Sequence, residues 1–523
     1  MRVIDTSQYI SESDLLRLSP SDREAMYNGL DCCVALEIFQ ILREQLDDVS
    51  RRTYQLSLDL RGPIMEMSMR GIRVDTARRD AVLGDFTRQH RFISDRLSEL
   101  FRAAFDRDFN YRSGPDMKTF FYEVLGLKPI RKRNANGQLV PTVNRDALER
   151  LQVNFWAQPV IGHIIALRET DKKIQFLRTG IDPDSRMRAN FNIAGTNTGR
   201  LSSSASEFGT GTNQQNIDRS LRSIFIPDPG MKFINIDLEQ GDSRNLGANM
   251  WSIFLASHGP AFAGAYLDAC ESGDLHTTVC RMAWTDLDWP AEGSPLDEFK
   301  AIAEQIFYRQ DSYRQMAKKL GHGTNFCGQP PTMAMHTKMP VSIIAEFQRR
   351  YFEAFPSIPL YHQWVQDQIA EYSFLTTLHG RRRFFFGRSE DMTTIRDAVA
   401  FTGQSMTADA VNKGMVQLWQ AGKRGRAFAR DTHLLCQVHD SLLLQVPEAM
   451  ADDAVPELLD ICKAPLLLPG DREFIVPNEA KVGWNWGDFD KKQPMENPLG
   501  LTKWSPSGDS RKNEKPRLSI IGR

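Results

Sequence analysis

Two aspartates, Asp237 and Asp440, and four side chains between them, Arg314, Lys318, His322 and Phe326, are the residues whose types and spacing could do chemistry. Each aspartate follows a stretch that reads as a strand. MKFINIDLEQ sets Phe233, Ile234 and Ile236 among polar residues, and HLLCQVHDSLLLQVP joins two apolar runs at His439-Asp440-Ser441, a hairpin with the carboxylate at its tip. Phosphoryl or nucleotidyl transfer in the two-metal mode needs hard oxygen ligands on two Mg2+ ions about 3.5 to 4 Å apart, and two carboxylates from separate strand ends supply them. Taken singly, either aspartate is also an ordinary turn residue. In DSYRQMAKKLGHGTNFCG the four side chains recur at four-residue steps, which on a helix lays them along one face with a drift of about 40° per step. Two cations followed by two rings suit a triphosphate at one end and a sugar and base at the other; the bland alternative is a solvated helix face with a buried Phe.

These side chains need a scaffold. A chain of 523 residues provides for three or four compact units, because single cores stop growing beyond about 250 residues. Hydrophobic content of 41% and charged content of 25% are those of a soluble globular protein and discriminate no further. The net charge of -1 gives no overall sign of a nucleic-acid partner, so such contacts must rest on local clusters of Lys and Arg. The 7 cysteines are scattered without CxxC or Cys/His ligand spacing and read as reduced thiols of a cytoplasmic protein. The opening MRVIDTSQYI lacks a basic region followed by an apolar core, and no uncharged apolar run approaches about 20 residues, so no membrane is expected.

From Ser21 to about Phe105 apolar residues recur at helical spacing, as at Val34, Ile38, Ile41 and Leu42. A helical piece, MKTFFYEVLGL, precedes the basic segment KPIRKRNANGQLVP, where Asn136-Gly137 predicts a tight hairpin. Its Lys128, Arg131, Lys132 and Arg133 suit a phosphate backbone or, equally, a solvated charge run. Residues 185–215 are polar, loop-like and too long for a mere connector. From about Lys491 the Pro-, Ser- and Lys-rich composition predicts disorder.

In their order along the chain these segments resemble the family A DNA polymerases, the bacterial DNA polymerase I type, from about Arg51 to Asp488. TNTGRLSS with NQQNI is similar to the stretch before that family's first catalytic strand, and DLEQGDSR to its motif A. The Arg314 to Phe326 helix resembles motif B, and QVHDS resembles motif C. The resemblance implies Asp237, Asp440 and the backbone carbonyl of Leu238 as ligands of two Mg2+ ions, with Mn2+ as an alternative. It implies Arg314 and Lys318 as cations on the triphosphate, Lys318 also as general acid to the leaving pyrophosphate, and His322, Phe326, His276 of GDLH, Gln240 and Asp242 as further nucleotide contacts. Arg200, Asn213, Gln215, Arg396, Gln404 and His439 fall on positions touching primer, template or nascent pair.

The implied fold is α+β, a right hand with helical thumb and fingers and an antiparallel palm sheet. Its parts would be a remnant of a 3'-5' exonuclease domain at 1–50, thumb 51–190, palm 191–254, fingers 255–400, palm again 401–490, and a disordered tail 491–523. The basic segment from Lys128 to Arg133 then falls in the thumb, where a duplex would lie. The implied function is template-directed addition of deoxynucleotides to a primer 3'-hydroxyl, in the cytoplasm of a bacterium or a phage-infected host. Primer-template DNA and dNTPs are the implied partners, a separate exonuclease, helicase or processivity factor are candidate ones, and no membrane is involved.

Several residues depart from the family's pattern. Asp242 stands where most members have the Glu that blocks a ribose 2'-hydroxyl, and its reach is one methylene shorter, which predicts weaker exclusion of ribonucleotides. His322 replaces the usual Phe or Tyr and can donate to a phosphate or 3'-hydroxyl; Phe326 replaces the usual Tyr; Ser441 replaces a Glu and leaves a two-Asp core. MYNGLDCCVALEIF, with Tyr27 and Asp31, looks like the third motif of the 3'-5' exonuclease, but the stretch before Tyr27 has no matching DxE, so self-contained proofreading is not expected. A single-subunit RNA polymerase, whose third motif often reads His-Asp-Ser, is a rival; TGRLSS and a carboxylate at 242 speak against it, as does the lack of a large promoter-reading N-terminal domain. A non-catalytic DNA-binding protein of the same fold would have no use for two acids facing a polyanion.

Overall fold

The computed structural model describes Ser13 and residues 17–105, 110–134 and 136–506. The expected reading of MRVIDTSQYI therefore lies outside the described residues, as does the tail from 507 onward. The chain forms two compact units: one of Leu60–Leu255, Cys270–Gly273 and the residues from Thr407 on, the other of the residues up to Asp59, Ala256–Ala269 and Asp274–Met406.

The first unit is built on a five-stranded antiparallel sheet. Its strands are β1 (Met231–Leu238), β2 (His433–Val438), β3 (Ser441–Pro447), β4 (Asn478–Gly483) and β5 (Thr502–Lys503), in the order β2-β3-β1-β4-β5. Phe233, Ile234, Ile236 and Leu238 are all buried, so β1 reads as a nearly continuous apolar run because it is the central strand, covered on both faces. The β2–β3 hairpin closes through His439 and Asp440 alone, as expected, with His439 in the left-handed region at φ 56°. In the same unit the helices Thr76–Phe105 and Gln158–Leu177 pack around Phe101, Phe120, Phe121, Ile161 and Ile164. The basic segment forms the expected hairpin, Arg131–Arg133 against Leu139–Pro141, with its basic strand exposed and Gly137 at φ 76° in the loop.

Two expectations for this unit are corrected. Residues 185–215 are not a plain loop: Ala189–Asn192 pairs with Ser202–Ala205, and Ala189, Phe191, Leu201 and Ser203 are buried. The pair is hidden because its strands are only four residues long, too short for the alternation of Ala189 and Phe191 with Asn190 and Asn192 to stand out among small polar residues. Disorder does not begin at 491 either: Lys503 pairs with Lys481, Leu501 is buried, and the Trp504 N–H donates to the Ala480 carbonyl at 2.9 Å. That closure depends on Gly483, where a Cβ would stand 2.7 Å from the Gly500 carbonyl oxygen.

The second unit is mainly helical. Its helix Tyr313–Asn325 starts in a capping box formed by Ser312 and Gln315, and buries Met316, Ala317, Leu320 and Thr324. Arg382 bonds Asp47 at 2.8 Å in this unit, which also takes the helix Asp48–Asp59. The helix Pro20–Gln45, which carries Tyr27 and Asp31, has no buried residue. By length and composition alone it could cross a membrane, a possibility that an uncharged-run criterion passes over because Asp31 and Glu37 interrupt it.

The 185–215 hairpin supplies a test of the fold. Gly211 sits at φ 70°, and a Cβ there would meet the Arg188 carbonyl oxygen at 1.9 Å. Gly211→Ala should destabilise the protein by ~2 kcal/mol or more in chemical denaturation, since strain and a backbone clash add; a change near zero would mean the hairpin is not held as described.

Candidate functional site

Asp237 is the penultimate residue of β1, and the adjoining Leu238 N–H donates to the Asp440 carbonyl at 3.1 Å. This bond fastens the hairpin tip to the end of the central strand and brings the two sequence-selected aspartates together. Ser441 and Glu479 both lie directly opposite Asp237, one on each flanking strand, so the three share one face of the sheet. Ser441 does not take the place of an acid: its hydroxyl donates to the Val438 carbonyl at 3.1 Å and closes the turn. Glu479 escaped the sequence reading because only the long-range register of β4 reveals it.

The electrostatics follow from this crowding. Burial, then the charges of Asp440 and Glu479, push the Asp237 carboxyl up to about 7, against the pull of Lys481 and Arg219. Asp440 keeps solvent contact at the tip, yet the protein packed around its carboxyl raises its pKa, and Asp242 adds to the effect while Arg200 and His439 oppose it. Asp237 Oδ1 is buried with no hydrogen-bond partner. Arg200 Nε and Gln240 Oε1 of the same unit are likewise buried without a hydrogen-bond partner, as is Arg396 Nε in the other unit, whereas buried polar groups are normally satisfied. Gln240, like His439, holds a positive φ, 55°, which few residues other than Gly adopt.

Around the two aspartates, His439 is exposed at the tip, and Arg200 and Asp242 stand 3.5 Å apart as an ion pair. Gln215 behaves differently from what the resemblance implies, while Asn213 stays half-buried. Gln215 is buried with its amide on the Gln437 carbonyl at 3.2 Å, and Asn213 accepts from the Gln215 N–H at 2.9 Å. Direct contact with DNA is closed to Gln215, which instead braces the strand leading to Asp440.

In the second unit, Arg314 is half-buried while Lys318 and His322 are exposed on the helix Tyr313–Asn325. Phe326 is not on the helix but caps its end at φ -105°, ψ 37°; its ring still meets His322 edge to face at 4.8 Å. His276 joins this stripe: burial, then the charges of Arg314, Lys318 and His322, bring its pKa down to about 4, with Asp274 opposing. Arg314 is oriented by the buried Asp274, which accepts from its Nε at 2.8 Å and its Nη2 at 3.0 Å. Asp274 was missed although GDLH carries it two residues before His276. Arg396 and Gln404 are half-buried on the helix Met392–Lys423, and Lys128, Arg131, Lys132 and Arg133 are exposed in the other unit.

Comparison with known proteins adds to this geometry. The model of DNA polymerase family A matches residues 83–281 and 291–488. DNA polymerase I of Bacillus caldotenax is 26% identical over 448 residues, covering 82% of this chain and 46% of the relative. The thermostable DNA polymerase I of Thermus filiformis is 25% identical over 469 residues, covering 85% and 49%. The chain therefore spans about half the length of the curated relatives it matches. A solved structure, the POL domain of Pol1 from M. smegmatis in complex with DNA primer-template and dNTP, has a TM-score of 0.64 at 22% identity, with coverage of 82% of this chain and 70% of that one, and shares its fold.

The raised Asp237 carboxyl has a measurable sign. Between its ordinary value of 3.8 and about 7 the folded protein binds the extra proton, so this residue's contribution to stability falls as pH rises through that window. Without divalent metal, Asp237→Asn should be more stable than wild type at pH 8 by ~2 kcal/mol, the gain shrinking toward pH 4. Denaturation curves showing a loss at pH 8, or the same gain at both pH values, would contradict this.

Proposed function

The chain belongs to DNA polymerase family A, and on that premise we propose that it is a template-directed DNA polymerase, adding deoxynucleotides to a primer 3'-hydroxyl with release of pyrophosphate. The observation that carries this reading is the pair Asp237 and Asp440, tied together by the Leu238 to Asp440 backbone bond and crowded into raised pKa values. Carboxyls in that condition favour a neighbouring positive charge, and hard oxygens suit Mg2+, with Mn2+ as an alternative. The unpartnered Asp237 Oδ1 fits a cation. Asp237 and Asp440, with the Leu238 carbonyl beside them, would hold the ions. When bound, two such ions supply charge neutralisation at the attacking and leaving oxygens.

The remaining roles belong to the chain's own groups. Arg314, with two donors fixed on Asp274 and its Nη1 3.5 Å from Glu304 Oε1, supplies an oriented positive charge to the triphosphate. Lys318, exposed on the same stripe, binds phosphate and passes a proton to the departing pyrophosphate. His276, kept neutral by burial and by its cationic neighbours, offers a hydrogen bond without a further charge. His322 and Phe326 meet the sugar and base, with Gln240 and Asp242 as further contacts. Arg200, Arg396, Gln404 and His439 take the primer, template and nascent pair, while Lys128, Arg131, Lys132 and Arg133 grip duplex phosphates. The β1–β5 sheet is the palm, the helical region from 51 to 190 the thumb, and 255–400 the fingers. Proofreading is not assigned to Tyr27 and Asp31, which are exposed on a helix without buried residues.

Mg2+-dependent primer extension tests the reading. Asp237→Ala and Asp440→Ala should each lose about a thousandfold or more in rate, and Lys318→Ala about a hundredfold. Robust extension by either aspartate variant would sink the assignment.

A further inference from the structure

Asp242 lies in the first turn of the helix Gly241–Glu271, and both oxygens of its short carboxylate are engaged. The Thr407 hydroxyl donates to Oδ1 at 2.7 Å, and Arg200 Nη2 stands 3.5 Å from Oδ2. Thr407 is itself oriented, since the Asn245 amide donates to its Oγ1 at 3.1 Å. With the Asn245 amide as donor to its oxygen, the Thr407 hydroxyl is the donor toward Asp242. Thr407 and Asn245 are both 1% exposed, so the arrangement is enclosed rather than a chance surface contact.

The backbone is shaped for the same contact. At Gly241, next to Asp242, an added Cβ would stand 3.0 Å from Thr407 Cγ2 and 3.3 Å from its Oγ1. A larger residue there would push the threonine away by a few tenths of an ångström. The Arg200 guanidinium that closes the chain on the other side has its Nε buried without a partner, so donors remain for a ligand.

We propose that Thr407 is a positioning residue for sugar selection: oriented by Asn245, its hydroxyl aims the Asp242 carboxylate, so that preference for deoxynucleotides over ribonucleotides depends on the chain Asn245, Thr407, Asp242, Arg200. This rests on the polymerase reading and on Asp242 facing the sugar. A carboxylate free about its side-chain torsions would discriminate less, because a nucleotide with a 2'-hydroxyl could push it aside. Held by a charge-assisted bond and an ion pair, it resists displacement despite its short reach.

Single-nucleotide insertion on a primer-template, with each dNTP and its ribonucleotide counterpart, reads the proposal as the ratio of kcat/KM values. Thr407→Val, which keeps the shape and deletes the donor, should lower the ratio about tenfold, and Thr407→Ala should do the same if the valine packs poorly. Thr407→Ser should hold the ratio within about twofold of wild type, a rescue that a purely structural role would not give. Asp242→Ala should lower the ratio at least as far, and adding Thr407→Val to it should change nothing more. A lowered ratio in Asp242→Ala with none in Thr407→Val and Thr407→Ala overturns the proposal, as does full additivity. An unchanged ratio in Asp242→Ala overturns it by removing the sugar-facing reading of Asp242, while wild-type failure to extend any primer would strike the polymerase reading itself.

Discussion

A single main-chain hydrogen bond, from the Leu238 N–H to the Asp440 carbonyl, joins the end of β1 to the tip of the β2–β3 hairpin and obliges two carboxyl groups to share one corner of a sheet. Most of what surrounds that corner compensates for the constraint. The buried run of β1 fixes where the strand ends, the two-residue turn with His439 at φ 56° fixes where Asp440 stands, and Gln215 braces the incoming strand through Gln437. Burial and like charge then raise both carboxyls, a condition unfavourable to stability and suited to a cation. The site is thus kept by the stability of the sheet rather than adding to it.

The same logic extends to the second unit on its own terms. Arg314 is a cation held by a buried acid, and His276 is an imidazole kept neutral by burial and by the cations beside it. Arg314 thus has its orientation set by Asp274, a neighbour outside the stripe from Arg314 to Phe326. Asp274 does for Arg314 what Thr407 does for Asp242: it removes freedom from a side chain whose use depends on direction.

How much of this was legible in the sequence follows from range. The two aspartates and the stripe are local signals, an apolar run ending in an acid and a four-residue period, and both survived, with Phe326 displaced just past the helix end. The α+β class with an antiparallel sheet followed from the motif order, and the structure shares its fold with a polymerase domain. Glu479 and Thr407 were not legible, because each becomes significant through a partner more than 160 residues away, in Asp237 and Asp242. The hairpin at 189–205 and the strand at Thr502–Lys503 were hidden for another reason: their strands are two to four residues long, too short for a hydrophobic period to stand out in polar segments whose pairing rests on main-chain bonds and close approaches.

The central claim is that Asp237 and Asp440 together hold divalent cations. Its most direct test is a Mn2+ titration followed by electron paramagnetic resonance on the protein with primer-template DNA and a nucleotide, comparing wild type with Asp237→Asn and Asp440→Asn. The account predicts ion uptake in the wild type that both variants lose, and full wild-type uptake by both variants would contradict it.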